Sequence, residues 1–195
     1  TYDGEGHGVT VSGNDLPGDH TWYSTDGGQT WTEDAPSATD ASTTDVIVKV
    51  TNDNYNDGSD EGTIAIAKKA VTVTADDKTK VYGEDDPALT ATVDGTIGSD
   101  EVQYTLSRES GEDAGDYDIT PSGHGDQGNY SVTFEPGTLT IEQKSIEDPD
   151  DPGKPDTEHG ITVEQPEDTT YNGNPQEQKP VVKDGDKVLV EGTDY

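Results

Sequence analysis

The sequence of 195 residues contains no cysteine and no methionine, and it has one phenylalanine, two tryptophans and a single arginine, Arg108. Without cysteine there is no disulfide, no thiol nucleophile and no thiolate metal site. The fold must therefore be held by strand pairing and side-chain packing. Only 26% of the residues are hydrophobic, too few for one large core, so several small β-domains with thin cores are expected. A lone arginine excludes chemistry that grips a carboxylate with clustered guanidinium groups. No signal peptide, membrane-length apolar run or anchoring motif is visible. The chain also lacks a starting Met, and we expect it to be a window from a longer protein.

Acidic residues dominate, 43 against 11 basic, for a formal charge of -32. The excess is spread along the chain, about equally over residues 1–68, 69–144 and 145–195, so it is not an acidic tail. Such a surface repels nucleic acid and anionic lipid, and neither nucleic-acid binding nor membrane insertion is expected. It favours solubility and attracts divalent cations; a saline habitat would favour the same composition.

Internal repeats organise the chain. "TYDGEG" (1–6), "VYGEDD" (81–86) and "TYNGNP" (170–175) share a tyrosine followed by a glycine turn, at Tyr2, Tyr82 and Tyr171. "NYNDGSDEGTIAIAKK" (54–69) aligns with "NYSVTFEPGTLTIEQK" (129–144), which places Tyr55 and Gly62 each 75 residues before Tyr130 and Gly137. Between these anchors, apolar residues alternate with polar ones. Val46, Val48 and Val50 share one face, as do Ile64 and Ile66, Val71 and Val73, and Leu139 and Ile141. "GITVEQ" (160–165) and "DKVLVEG" (186–192) continue the pattern, and no helical stripe interrupts it. The expected domains are a first repeat at 1–68 lacking its opening strand, a full repeat at 69–144, an acidic proline-rich linker at 145–158, and the start of a third repeat at 159–195.

Tyr2-Asp3-Gly4 resembles the signature of the bacterial MBG domains of YDG type. Tyr82-Gly83 followed by "DDPALTATV" resembles the related YGX type, and "YNGNPQEQKPVV" (171–182) is similar to a module of Gram-positive surface proteins. The resemblance implies an all-β fold of tandem immunoglobulin-like or β-grasp-like modules, of the β-sandwich kind, on secreted adhesins. It supplies no catalytic residues.

Other motifs carry residues suited to chemistry. Ser24-x-Asp26-x-Gly28-x-Thr30-Trp31 matches the Asp-box hairpin of sialidases, which implies a tight turn with positive-φ glycines flanked by Trp22, Tyr23 and Trp31. One arginine cannot complete a sialidase-like site. Asp53, Asn56, Asp57, Asp60 and Glu61, in "TNDNYNDGSDEG" (51–62), are the candidate Ca²⁺ ligands, although the spacing is not that of an EF-hand. An exposed hairpin or loop is the simpler expectation there. His7, His20, His124 and His159 have no zinc spacing. Lys49, Lys68, Lys69 and Lys144 lie beside strands, but the buried apolar pocket that a Lys–Asn crosslink needs is not apparent. Exposed Trp22 and Trp31 are candidates for stacking on glycan rings.

The expected function is non-catalytic: stalk or spacer repeats of an extracellular bacterial adhesin, located at the cell surface or cell wall. Its host or neighbouring-cell ligand would be bound through other domains. The alternatives are a glycan- or protein-binding module that uses exposed aromatics, and a filament subunit whose first repeat is completed by a strand from a like copy.

Overall fold

Threonine and β-branched residues in alternation favour extended backbone, because each branched side chain packs on a pleated surface without crowding its own turn. The computed structural model of the chain accordingly forms an all-β structure. It describes residues 1–12, 15–147, 154–157, 160–164, 169–170, 173 and 179–191. In chain order, β1 (His7–Gly8), β2 (His20–Ser24), β3 (Ser37–Ala38), β4 (Ser42–Asn52) and β5 (Tyr55–Ile66) come first. Next are β6 (Lys69–Ala75), β7 (Lys78–Val81), β8 (Ala91–Asp94), β9 (Thr105–Arg108) and β10 (Gly115–Ser122). β11 (Asp126–Gln127), β12 (Tyr130–Glu135), β13 (Gly137–Glu142), β14 (Ile161–Glu164), β15 (Val181–Asp184) and β16 (Lys187–Val188) follow.

The chain divides into two compact units that interleave in sequence. Unit 1 holds Thr1–Thr74, Thr92–Thr105 and Ser122–Glu135, while unit 2 holds Ala75–Ala91, Leu106–Pro121 and Pro136–Tyr195. The segment 69–144 therefore contributes to both.

In unit 1, β4 is the centre of an antiparallel sheet ordered β2-β4-β5, and β1 pairs with β3. Tyr23, Val46, Ile64 and Ile66 form its core, with Val9, Val11, Ala38 and Val48 packed against them. A second sheet, ordered β11-β12-β6-β8, runs β12 parallel to β6. Val71, Val73, Tyr130 and Val132 are buried there. Unit 2 contains the sheet β7-β13-β10-β9, in which β13 runs parallel to β7 and antiparallel to β10. Its core is Ala75, Ile119, Leu139 and Ile141. Burial of each large aliphatic side chain in that cluster contributes about 1.5–3 kcal/mol. The sheet β14-β15-β16 buries Ile161, Val182 and Leu189.

The alternation read from the sequence appears as the buried faces of β5, β6 and β13, while in β4 Val46 alone is fully buried. The acidic run 51–62 forms the hairpin expected there: residues 51–52 end β4, residues 53–54 make the turn, and residues 55–62 are the first eight of β5. Its polar residues carry no strand pattern; the ladder with β4 extends it instead. Of the described residues of "DKVLVEG", 186–191, only Lys187–Val188 is strand, which is shorter than expected. Half of the expected linker, residues 148–153 and 158, lies outside the described residues, as do His159 and Tyr171.

Candidate functional site

The Asp-box hairpin follows β2. Asp26 accepts hydrogen bonds at Oδ1 from Ser24 Oγ (2.7 Å), Gln29 N (2.9 Å) and Thr30 N (2.9 Å), and at Oδ2 from Thr30 Oγ1 (2.6 Å). Gly27 and Gly28 both take positive φ, as the turn demands. The Thr30 hydroxyl, with Thr30 N, Ser24 and Gln29, holds the Asp26 carboxyl far below its usual 3.8. A depressed folded-state pKa means that this stabilisation is complete above about pH 4 and is lost as pH falls below it. Amide exchange at Gln29 and Thr30 is therefore expected to accelerate on acidification. Asp26→Ala is expected to weaken their protection by about tenfold at neutral pH and to abolish that acid response.

The two candidate stacking residues are held differently. Trp22 is half-buried, and its indole N–H donates to Thr51 Oγ1 (3.3 Å). Trp31 is 39% exposed and donates to Gly28 O (3.1 Å). Tyr23, within β2 and bridged to Thr32, turns into the core.

The candidate Ca²⁺ ligands are strung along β5. Asp53 is in the turn, and Asn56 and Asp57 lie at the irregular step of the β4–β5 ladder. Asp57 pairs with Lys49 at 3.0 Å. Asp60 and Glu61 are successive strand residues opposite Val48 and Ile47, so they point to opposite faces. Among the described residues, no group of three or more His, Asp or Glu is placed to hold a metal ion. His7 contacts Asp3 (2.9 Å), His20 contacts Glu33 (3.2 Å), and the backbone oxygen of His124 accepts from Gln127. Lys68 and Lys144 face the carboxylates of Asp126 and Asp184 rather than an asparagine.

What the structure brings together instead are contacts between residues of successive repeats. Inside unit 1, the ring of Tyr2 meets that of Tyr130 edge-on, with centroids 5.5 Å apart and planes at 88°. Both phenols donate to Asp100 Oδ2, Tyr130 at 2.5 Å and Tyr2 at 3.2 Å, and Ile97 N donates to Tyr130 Oη at 3.1 Å. Burial, with Asp100 next, pushes both phenol pKa values up. Asn129 clasps the first repeat by accepting from Ala41 N (2.8 Å) and donating to Asp40 Oδ1 (2.9 Å). Lys68 pairs with Asp126 nearby.

Inside unit 2 the next signature tyrosine behaves alike. Tyr82 packs against the cluster of Ile161, Val182 and Leu189, and Lys187 Nζ stands 4.3 Å from the centre of its ring. Lys144 and Asp184 pair at 2.9 Å beside it. Asp184-Gly185 repeats Asp94-Gly95, so Lys187 stands at the position of Ile97. Tyr2 and Tyr82 thus each contact a residue shortly after the Asp-Gly of the next repeat, Asp100 and Lys187.

Residues 71–140 match the family model of the MBG domain (YGX type). This segment is an MBG-type repeat domain. No curated protein and no solved structure matches the chain. MBG domains are found in surface adhesin-like proteins.

In this MBG domain the Tyr82-Gly83 signature is positioned by β7, since Tyr82 N donates to Glu142 O (2.8 Å), directly after the β7–β13 ladder. The first repeat keeps the same bond, from Tyr2 N to Ala67 O (2.8 Å). The sequence identified these tyrosines by their recurrence. Their partners lie in the following repeat, where no local pattern marks them. A second group was also missed. Lys80, 6% exposed, donates to Asp86 Oδ1 (2.7 Å) and Glu112 Oε2 (2.6 Å), and Arg108 bridges the same two carboxylates. Scarcity of cations in so acidic a chain was the one available signal.

Proposed function

We propose that this chain is stalk: spacer repeats of an extracellular bacterial surface adhesin, in which one module is fastened to the next by its signature tyrosine. The observation that carries this reading is the recurrence of the same joint, Tyr2 against Asp100 and Tyr130, then Tyr82 against Lys187 and the cluster around Ile161. Modules coupled at their contacts resist bending better than beads on a loose linker, as a spacer requires. The net charge of -32 discourages lateral association of neighbouring stalks.

Two measurements test the reading. In single-molecule pulling, neighbouring repeats are expected to yield together in the wild type and in separate events in Tyr2→Ala or Tyr82→Ala. In the second measurement, the chain is displayed between a cell-surface anchor and a binding domain. Deleting residues 1–144 should abolish capture of ligand on an opposing surface, while soluble-ligand affinity stays within about twofold. The exposed Trp31 favours a second reading, a glycan-binding module. Glycan-array binding by the chain alone that disappears in Trp31→Ala would replace the stalk with that reading.

A further inference from the structure

In the MBG domain, Gln103, Tyr104, Thr105, Ser122, His124 and Asp126 line a cleft of roughly 430 Å³ that lies wholly within unit 1. Its walls are the approach to β9 and the connection from β10 to β11. Gln127 holds them together: its Oε1 accepts from Gln103 N (2.7 Å), and its Nε2 donates to Gln103 O (2.9 Å) and His124 O (2.7 Å). Val132 N donates to Gly125 O (2.7 Å), which ties the connection to β12. Gly123 lets the walls approach closely, since an added Cβ would lie 2.7 Å from Gln103 O and 2.9 Å from the Phe134 ring. The Thr105 and Ser122 hydroxyls stand 2.9 Å apart. Two lining groups are unused. Tyr104 is half-buried, yet neither its phenol nor the exposed imidazole of His124 has a hydrogen-bond partner among the described residues.

We infer that this cleft binds a neutral hexopyranose at the end of a glycan. Clefts that hold small ligands span about 300–1,000 Å³ and combine ring surface with a few placed polar groups. A hexose presents an apolar C–H face and a rim of hydroxyls, and the lining answers both. Tyr104 offers a ring and a free phenol, and His124 offers two ring nitrogens. Asp126, paired with Lys68, keeps an exposed carboxylate that accepts strong hydrogen bonds from sugar hydroxyls. The same carboxylate and the net charge of -32 disfavour an anionic sugar. Because Gln127 fixes the walls before a ligand arrives, little ordering entropy is lost on binding. Neither tryptophan lines the cleft, so the site is separate from the Trp31 reading and does not depend on the spacer role.

The test titrates the whole chain with methyl glucoside, methyl galactoside and methyl mannoside, followed by amide NMR shifts. At least one should saturate with a midpoint below about 50 mM, and the shifts should map to residues 103–105 and 122–127. A disaccharide ending in that hexose should bind at least as tightly. The corresponding methyl uronide should bind at least about tenfold more weakly. Tyr104→Phe removes only a hydroxyl, and His124→Ala changes an exposed side chain. Both should keep the melting midpoint while each weakens binding about fivefold or more. Trp31→Ala should leave binding unchanged. Saturation by none of the three hexosides would overturn the inference, as would shifts confined to other segments or affinity unchanged in either cleft variant. Binding lost in Trp31→Ala, or equal binding of the uronide, would overturn it too. Rejection of the disaccharide would assign the cleft to a free sugar and overturn the glycan end.

Discussion

Replacing Gly137 by alanine is expected to destabilise unit 2 by about 3 kcal/mol, read as a lowered denaturant midpoint and faster exchange of β13 amides. An added Cβ would lie 2.4 Å from Ala75 O and 2.9 Å from Ala75 C, and backbone cannot swing aside as a flexible side chain can. Gly137 is buried at the start of β13, opposite Ile119, and Ala75 belongs to the same core as Ile119 and Leu139. Relief would therefore have to move packed strands. Gly62, which occupies the same place in the first repeat, is exposed with nothing within 4 Å of its added Cβ. Gly62→Ala should be neutral or slightly stabilising, because alanine loses less backbone entropy on folding. Equal destabilisation by both substitutions would show that the close approach of Ala75 is not the cause.

Lys80→Met is expected to cost about 2 kcal/mol at neutral pH. The ammonium is buried and makes two ion pairs plus a bond to Glu84 O (3.1 Å), all of which methionine forfeits while retaining similar bulk. The cost is smaller than for a fully buried pair, because Asp86 and Glu112 keep partial access to water and remain bonded to Arg108. Arg108 also donates to Glu109 O and Gly111 O, so the ring ties β7 and β9 to the turns after them.

The sign of the pH dependence follows from the shifts. Arg108 and then Lys80 hold Asp86 below 3.8, and Lys80 and then Arg108 hold Glu112 below 4.5. Their contribution is present above those values and is lost as the solution is acidified through them. Asp86, followed by Glu112, raises Lys80 above 10.5, so its contribution is full below that value and disappears on strong alkalinisation. Lys80→Met should flatten the alkaline limb and shrink the acid limb of the stability profile. A full-sized acid limb in the variant would assign that limb to carboxylates elsewhere.

Much of the fold could be read from neighbouring residues. Val71 and Val73, Ile64 and Ile66, and Leu139 and Ile141 each turn inward as their alternation requires. Gly27 and Gly28 take the backbone shape that the "STDGG" turn calls for. The site was less legible. Asp53, Asn56, Asp57, Asp60 and Glu61 look like one oxygen-rich cluster in sequence, yet extension along β5 spreads them and sends Asp60 and Glu61 to opposite faces.

The sequence by itself determined the strand character, the buried faces, the glycine turns and the repeat in which Tyr2 and Tyr82 recur. These properties depend on period-two alternation and turn chemistry, which a few adjacent residues carry. Only the tertiary structure decided that Tyr2 reaches Asp100, 98 residues away, that Lys80 and Arg108 share two carboxylates, and that Gly62 and Gly137 face opposite surroundings. Those outcomes depend on which strands pair and in what register. A turn fixes register only between neighbouring strands such as β4 and β5; between segments far apart in the chain it is set by how their buried faces pack together.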